Sequence, residues 1–221
     1  ANALFGYNAG SYEGLDTLIV PTGVERSLGD NDTVKGEAGL RWTRSLPLGM
    51  TLEMVGFQQL VRSQGDSTYD TPLFTSDSLS ETTSGESIAS GAVKFAPVGD
   101  WSFEAGSEVA LNWVESQSAF GFNASPVLLP GDDTRVEELR SETFVTGVWA
   151  ARSNLSLETT LRYEVSRITA TGSAGEAETR LSFLKPRLNV AWTPVPGHQA
   201  NFKIERNADQ LSFGAFTASA S

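Results

Sequence analysis

Cysteine is missing altogether and histidine occurs once, at position 198, in a chain of 221 residues. Without cysteine there is no disulfide framework, no thiol nucleophile and no thiolate-held zinc or iron–sulfur centre. A single histidine rules out a histidine-rich metal site and argues against a Ser-His-Asp arrangement. Positive charge is scarce: 16 Lys+Arg stand against 27 Asp+Glu, a net charge of −11. Such a surface repels a phosphate backbone, so nucleic-acid binding is disfavoured. No run of 18 apolar residues occurs, hence no transmembrane helix is encoded, a statement that leaves strands untouched. Nor is there a phosphate-cradling glycine loop, a nucleophile elbow or a carboxylate pair in a catalytic setting. No enzymatic activity and no cofactor are expected. Residue 1 is alanine, with no signal peptide after it, and the expectation is of material removed upstream.

Helical periodicity is almost absent, whereas period-2 alternation recurs along the chain. From residue 155 one parity carries Leu155, Leu157, Thr159, Leu161, Tyr163 and Val165, and the other Ser156, Glu158, Thr160, Arg162, Glu164 and Ser166. Side chains alternate across a strand, so this is an apolar face backed by a charged one. Val34, Ala38, Leu40 and Trp42 likewise oppose Lys35, Glu37 and Arg41. Trp101, Phe103, Ala105, Val109, Leu111 and Trp113 oppose Glu104, Glu108 and Asn112. Pro186, Leu188, Val190 and Trp192 oppose Lys185, Arg187 and Asn189, and Ala200, Phe202 and Ile204 oppose Lys203 and Glu205. Residues 50–62 start in phase but drift at Gly56, where Phe57 and Val61 take the other parity, and a β-bulge is expected there.

The connections fall into two alternating classes. Short ones cover 45–49, 96–100, 151–154 and 193–198; long polar ones run over roughly 63–86, 115–138 and 167–178. The short turns follow Trp42, Phe95, Trp149 and Trp192, so they gather at one end of the strands and the long loops at the other. Alternation alone also fits a half-buried soluble sheet. Long strands, loops that differ end to end and a level of aromatics point instead to an all-β, antiparallel up-and-down transmembrane β-barrel segment of about 8–10 strands. One or two of these are expected within 4–12 and 15–20, and the rest between 32 and 207. Since Ser221 would lie in another long external loop, the chain reads as part of a larger barrel, residues 1–221 forming one partial barrel domain.

Site expectations follow from this placement. Trp42, Phe95, Trp101, Trp149 and Trp192 read as an interfacial aromatic girdle. Lys35, Glu37, Arg41, Glu104, Glu108, Glu158, Arg162, Glu164, Lys185, Arg187, Lys203 and Glu205 read as charges facing a hydrated lumen. The apolar residues Phe120, Phe122, Val127, Leu128 and Leu129 in a polar loop either contact a ligand or pack locally. Residues 30–32 and 131–133 carry oxygen ligands that calcium could use, although Asx-rich turns account for them without a metal. His198 reads as an exposed turn residue.

The stretch 183–198 (Phe-Leu-Lys-Pro-Arg-Leu-Asn-Val-Ala-Trp-Thr-Pro-Val-Pro-Gly-His), with Phe202-Lys-Ile-Glu-Arg and Gln210-Leu-Ser-Phe-Gly-Ala-Phe, resembles barrel strands of TonB-dependent receptors. Segments 93–106 and 155–164 look like the same repeat. The resemblance implies a barrel of about 22 strands filled by a plug. It further implies the outer membrane of a Gram-negative bacterium, with membrane lipid as a partner. Its cargo would be a scarce small-molecule solute such as a metal chelate, a cobalamin-like molecule or a glycan. An inner-membrane, TonB-like energy-coupling protein would act through the plug domain, which these 221 residues do not include. A smaller outer-membrane barrel (porin-like, assembly or enzyme) and a soluble β-sandwich binding module are the alternatives.

Overall fold

A computed structural model describes residues 2–21, 23–127, 132–173, 175–195 and 197–207. The strands are β1 (Asn2–Val20), β2 (Gly23–Ser45), β3 (Thr51–Asp70), β4 (Thr75–Lys94) and β5 (Trp101–Phe122), then the short β6 (Ser125–Val127), β7 (Asp133–Arg152), β8 (Leu155–Gly172), β9 (Gly175–Val195) and β10 (His198–Glu205). All belong to one antiparallel sheet in the order β1-β2-β3-β4-β5-β7-β8-β9-β10, with β6 folded back on β5. Apart from the short β6, each strand pairs with the next one along the chain, as an up-and-down meander requires. Among the described residues β1 and β10 do not pair with each other, so the sheet is open with two free edges.

The two faces are named here by residues of β8. On the Leu161 face lie the odd positions of β5, β7 and β8 and the even positions of β2, β3 and β9, as the pairings Trp42↔Met54, Val109↔Ser141, Val145↔Leu161 and Leu161↔Pro186 fix. The Glu164 face carries the complement. Every buried side chain among the described residues, from Ala110 and Val136 to Thr160, Glu164 and Ile168, lies on the Glu164 face. A single sheet hides side chains only on the side toward which it curls, and this one therefore curls toward its charged face.

Three features sharpen or correct the sequence expectations. The one or two strands expected within 4–12 and 15–20 are a single continuous strand over residues 2–20. The polar segments at 63–86, 115–138 and 167–178 are mostly built as strand, with unpaired tips of only a few residues such as Thr71–Phe74. Over 63–86, serine- and threonine-rich sequence with polar side chains on both faces shows no alternation, yet its two strands pair throughout. No bulge interrupts β3 at Gly56, because its register against β2 and β4 is continuous. Phe57 and Val61 lie on the Glu164 face, and Gln58 takes their place on the Leu161 face.

Candidate membrane belt and charged face

On the Leu161 face, β8 presents Leu157, Thr159, Leu161, Tyr163 and Val165, with Leu161 49% exposed, while Glu164 on the opposite face is 4% exposed. The apolar side chains are thus outside and the ionised ones inside. Among the described residues no second sheet covers Leu157, Leu161, Trp113 or Val190. A sandwich would hide these residues in a dry interior; here they line an open surface.

The limits of this apolar surface run obliquely across the strands. Its lower limit is Trp192 on β9, Trp149 on β7, Trp101 on β5 and Trp42 on β2. Its upper limit is Leu184, Val165, Leu139, Trp113, Leu60 and Val34 on β9, β8, β7, β5, β3 and β2. Followed through the pairings, both limits climb four rows of residues over six strand-to-strand steps from β9 to β2. At about 6.7 Å per row and 4.8 Å per step the slope is roughly 40°. A flat belt thus crosses these strands at the tilt of transmembrane barrels, about 35–45°, and projects to roughly 20–30 Å against a typical apolar height of about 25 Å. Within those limits the Leu161 face carries no Asp, Glu, Lys or Arg. Its polar exception on β3 is satisfied across the strands: Ser87 Oγ donates to Gln58 Oε1 at 2.5 Å.

Above the belt the polarity inverts. Arg167 on β8, Glu137 and Arg135 on β7, Glu178 and Arg180 on β9 and Glu115 on β5 all occupy the Leu161 face. On the other face Val136, Ile168 and Ala170 form a buried cluster, joined by Val114 and Leu181. Water on the outside of the hairpin arms makes a charged exterior and an apolar interior favourable, the reverse of what lipid demands. A soluble sheet has no reason to change sides halfway along its strands.

At belt level the Glu164 face carries paired charges. Glu108, Glu142 and Glu164 stand directly opposite one another on β5, β7 and β8. Arg140 reaches Glu108 at 3.2 Å and Arg162 reaches Glu142 at 2.6 Å, while Lys185 lies 2.6 Å from Glu164 and 3.7 Å from Glu142. Three cations thus neutralise a row of three carboxylates. Nearby, Glu158 accepts from Arg187 and from Asn189 at 3.0 Å, and Ser166 donates to Glu138 at 2.6 Å. Farther round the wall Lys35 pairs with Glu37 at 3.1 Å, Arg41 with Glu53, Lys94 with Glu104 at 4.0 Å and Lys203 with Glu205 at 2.7 Å. All twelve charges singled out in the sequence lie on this one face. Glu53, Lys94, Glu138, Arg140 and Glu142 were missed there, and strand parity carried through 51–62, 75–94 and 133–152 would have found them.

The remaining candidates separate. Trp42, Trp101, Trp149 and Trp192 lie on the Leu161 face at the short-turn end; Trp101 and Trp149 stack with centroids 5.4 Å apart. Phe95 follows β4, its amide donating to the Phe103 carbonyl at 2.9 Å. Phe120 and Phe122 end β5 on the Glu164 face, where Phe122 stacks on Phe74 at 5.3 Å and Phe74 meets Tyr69 at 5.9 Å. Leu128 and Leu129 lie outside the described residues, as does Gly131. Asp30, Asn31 and Asp32 sit inside β2 rather than in a turn, so the alternation sends Asn31 to one face and the two aspartates to the other. Among the described residues no cluster of three metal-ligating side chains occurs. His198 opens β10 and is exposed. Above the belt, a hydrogen bond to Glu25 raises the Tyr69 hydroxyl beyond its ordinary value.

No family model and no curated protein sequence matches the chain. Solved structures are similar to it. Against the ferric citrate transporter FecA in its unliganded form the TM-score is 0.52 at 13% identity, covering 82% of this chain and 28% of that one. The alcaligin outer-membrane receptor FauA from Bordetella pertussis matches at 10% identity and a TM-score of 0.47, over 91% of this chain and 32% of its own. The ferric yersiniabactin uptake receptor FyuA from Yersinia pestis gives 8% identity and 0.38, over 87% and 40%. The chain spans 28–40% of the length of these three receptors. Its fold is a stretch of antiparallel, up-and-down transmembrane β-barrel wall, as found in the ferric citrate transporter.

Proposed function

We propose that the chain is a wall segment of a TonB-dependent outer-membrane receptor. Its charged face lines a plugged lumen, and its apolar belt, with the tryptophans as girdle, contacts lipid. The observation that carries this reading is the oblique, charge-free belt with inverted polarity above it, in a fold shared with a transporter. In this mechanism no covalent bond changes. Hairpin arms above the belt capture a scarce solute (a metal chelate, a cobalamin-like molecule or a glycan). A plug from elsewhere in the protein then shifts when an inner-membrane TonB-like protein delivers energy. The self-neutralised ladder of Glu108, Arg140, Glu142, Arg162, Glu164 and Lys185 gives the lumen a wettable wall with no excess charge at its centre.

The test has two stages. Fractionated membranes should hold the protein in the outer membrane, and the band should migrate differently on gels before and after heating. Cells with and without the gene are then offered radiolabelled ferric chelates, a cobalamin and oligosaccharides. Uptake of one class that needs both the gene and a proton-motive force supports the reading. Leakage that survives a protonophore points to a smaller porin-like barrel and overturns it.

A further inference from the structure

Arg167 and Arg180 stand directly opposite each other on β8 and β9, in the row immediately above Val165 and Ser182, where the belt ends. Like charges so placed repel. A single carboxylate holds them: Arg167 donates from Nε and Nη2 to Glu178 Oε2 at 3.0 and 2.5 Å, and Arg180 from Nε to Glu178 Oε1 at 2.7 Å. Two guanidiniums on one carboxylate leave an excess positive charge. The balance elsewhere at this level is different, since Arg135 lies between Glu115 at 3.3 Å and Glu137 at 3.0 Å, and Arg62 pairs singly with Glu81 at 2.8 Å. The Arg180 side chain is 75% exposed, and among the described residues its terminal nitrogens donate to no protein group. Below the two arginines an open groove of about 390 Å³ is lined by Leu139, Ser141, Val165 and Ser182, in line with the belt.

We propose that this patch docks a phosphorylated lipid of the outer leaflet, its phosphate on Arg167 and Arg180 and an acyl chain in the groove beneath. Charge complementarity selects the head, since a guanidinium fork matches phosphate oxygens in bidentate fashion. Continuity with the belt selects a lipid over a soluble anion. The inference rests on the membrane reading of the belt.

The test uses protein extracted from outer membranes in non-ionic detergent, with diphosphoryl lipid A as probe and native mass spectrometry as readout. The double variant Arg167→Gln/Arg180→Gln should lose affinity about tenfold or more, as expected for charge-assisted hydrogen bonds, while Arg135→Gln retains it. Should the double variant lose its heat-dependent migration, Arg180→Lys and Arg180→Gln give the same reading singly, with lysine the milder. Unchanged binding in the arginine variants, equal loss in Arg135→Gln, or equal affinity for dephosphorylated lipid A would overturn the proposal. Displacement by inorganic phosphate at matched concentration would show the site to be one for free anions. A protein found in membranes that ignores lipid A sinks this inference alone; absence from membranes sinks the belt itself.

Discussion

Leu161 and Glu164 are three residues apart on β8, yet one meets the outside of the wall and the other is enclosed by it. A buried carboxylate is tolerable only when paired and hydrogen-bonded, and Lys185 at 2.6 Å supplies that. Glu164→Ala leaves Lys185 with Glu142 alone at 3.7 Å, and the expected loss is about 3 kcal/mol. Arg41→Ala, at a half-exposed pair, should cost under about 1 kcal/mol. Denaturant titration of the protein folded into lipid vesicles separates the two. Gly106 is another sensitive point: a Cβ there would sit 2.7 Å from the Gly91 carbonyl and from the Phe144 ring, over which Arg162 is stacked at 5.3 Å. Gly106→Ala should cost about 1–3 kcal/mol through overpacking, read in the same titration. Glu178, outside the membrane span, is held below the ordinary carboxylate value by its hydrogen bond to Arg180, then by that to Arg167. A depressed carboxylate contributes stability above its unfolded value and loses it as pH falls through the folded one. Acidification below the carboxylate range should therefore loosen the Arg167–Arg180 pair, and Glu178→Gln should remove that part of the acid response of thermal unfolding.

At the scale of the strand, the unit is a belt segment of roughly nine to thirteen residues continued by an arm standing in water. The same parity of β8 carries Leu161 within the belt and Thr171 above it. Leu161→Arg should cost about 2–4 kcal/mol and slow insertion into vesicles, whereas Thr171→Arg should cost about 0–1 kcal/mol, as the depth dependence of arginine on a lipid face predicts. Heat-dependent gel migration during refolding reads both. The arms also explain why long polar segments are strands. Ser67 pairs with Ser78 at 2.7 Å, and Thr68 donates to Asp77 at 3.1 Å, so polar side chains bridge β3 and β4 where no apolar face can.

For the whole molecule, an open sheet with bare backbone at β1 and β10 cannot remain in hydrocarbon, because every lipid-exposed amide and carbonyl must be paired. The membrane reading therefore requires further strands to pair those edges, and the chain covers 28% of the ferric citrate transporter whose fold it shares. Buried side chains concentrate on β7 and β8. Hydrogen exchange on membrane-inserted protein should be slowest there, and amides of the β1 arm above the belt should exchange sooner.

How much of this was legible beforehand differs from feature to feature. The twelve charges from Lys35 to Glu205 and the outward Leu157–Val165 set could be read because a strand has a period of two and one medium lies on each side. The extent of β3 and β4 could not, since polar side chains on both faces leave the period without contrast; that of β8 and β9 could not because the charged parity changes sides above the belt, where Arg167 and Glu178 take the face of Leu161. Phe57 also misled: pairing with β2 and β4, which local sequence does not encode, holds it on the charged face and obliges Gln58 to find Ser87. Alternation along the chain was enough to give strands with one greasy side. The register came only with the folded sheet, and through it the slope of roughly 40°, the neutralised carboxylate row and the facing of Arg167 with Arg180, because cross-strand neighbours far apart in the chain are chosen by hydrogen-bond pairing between whole strands.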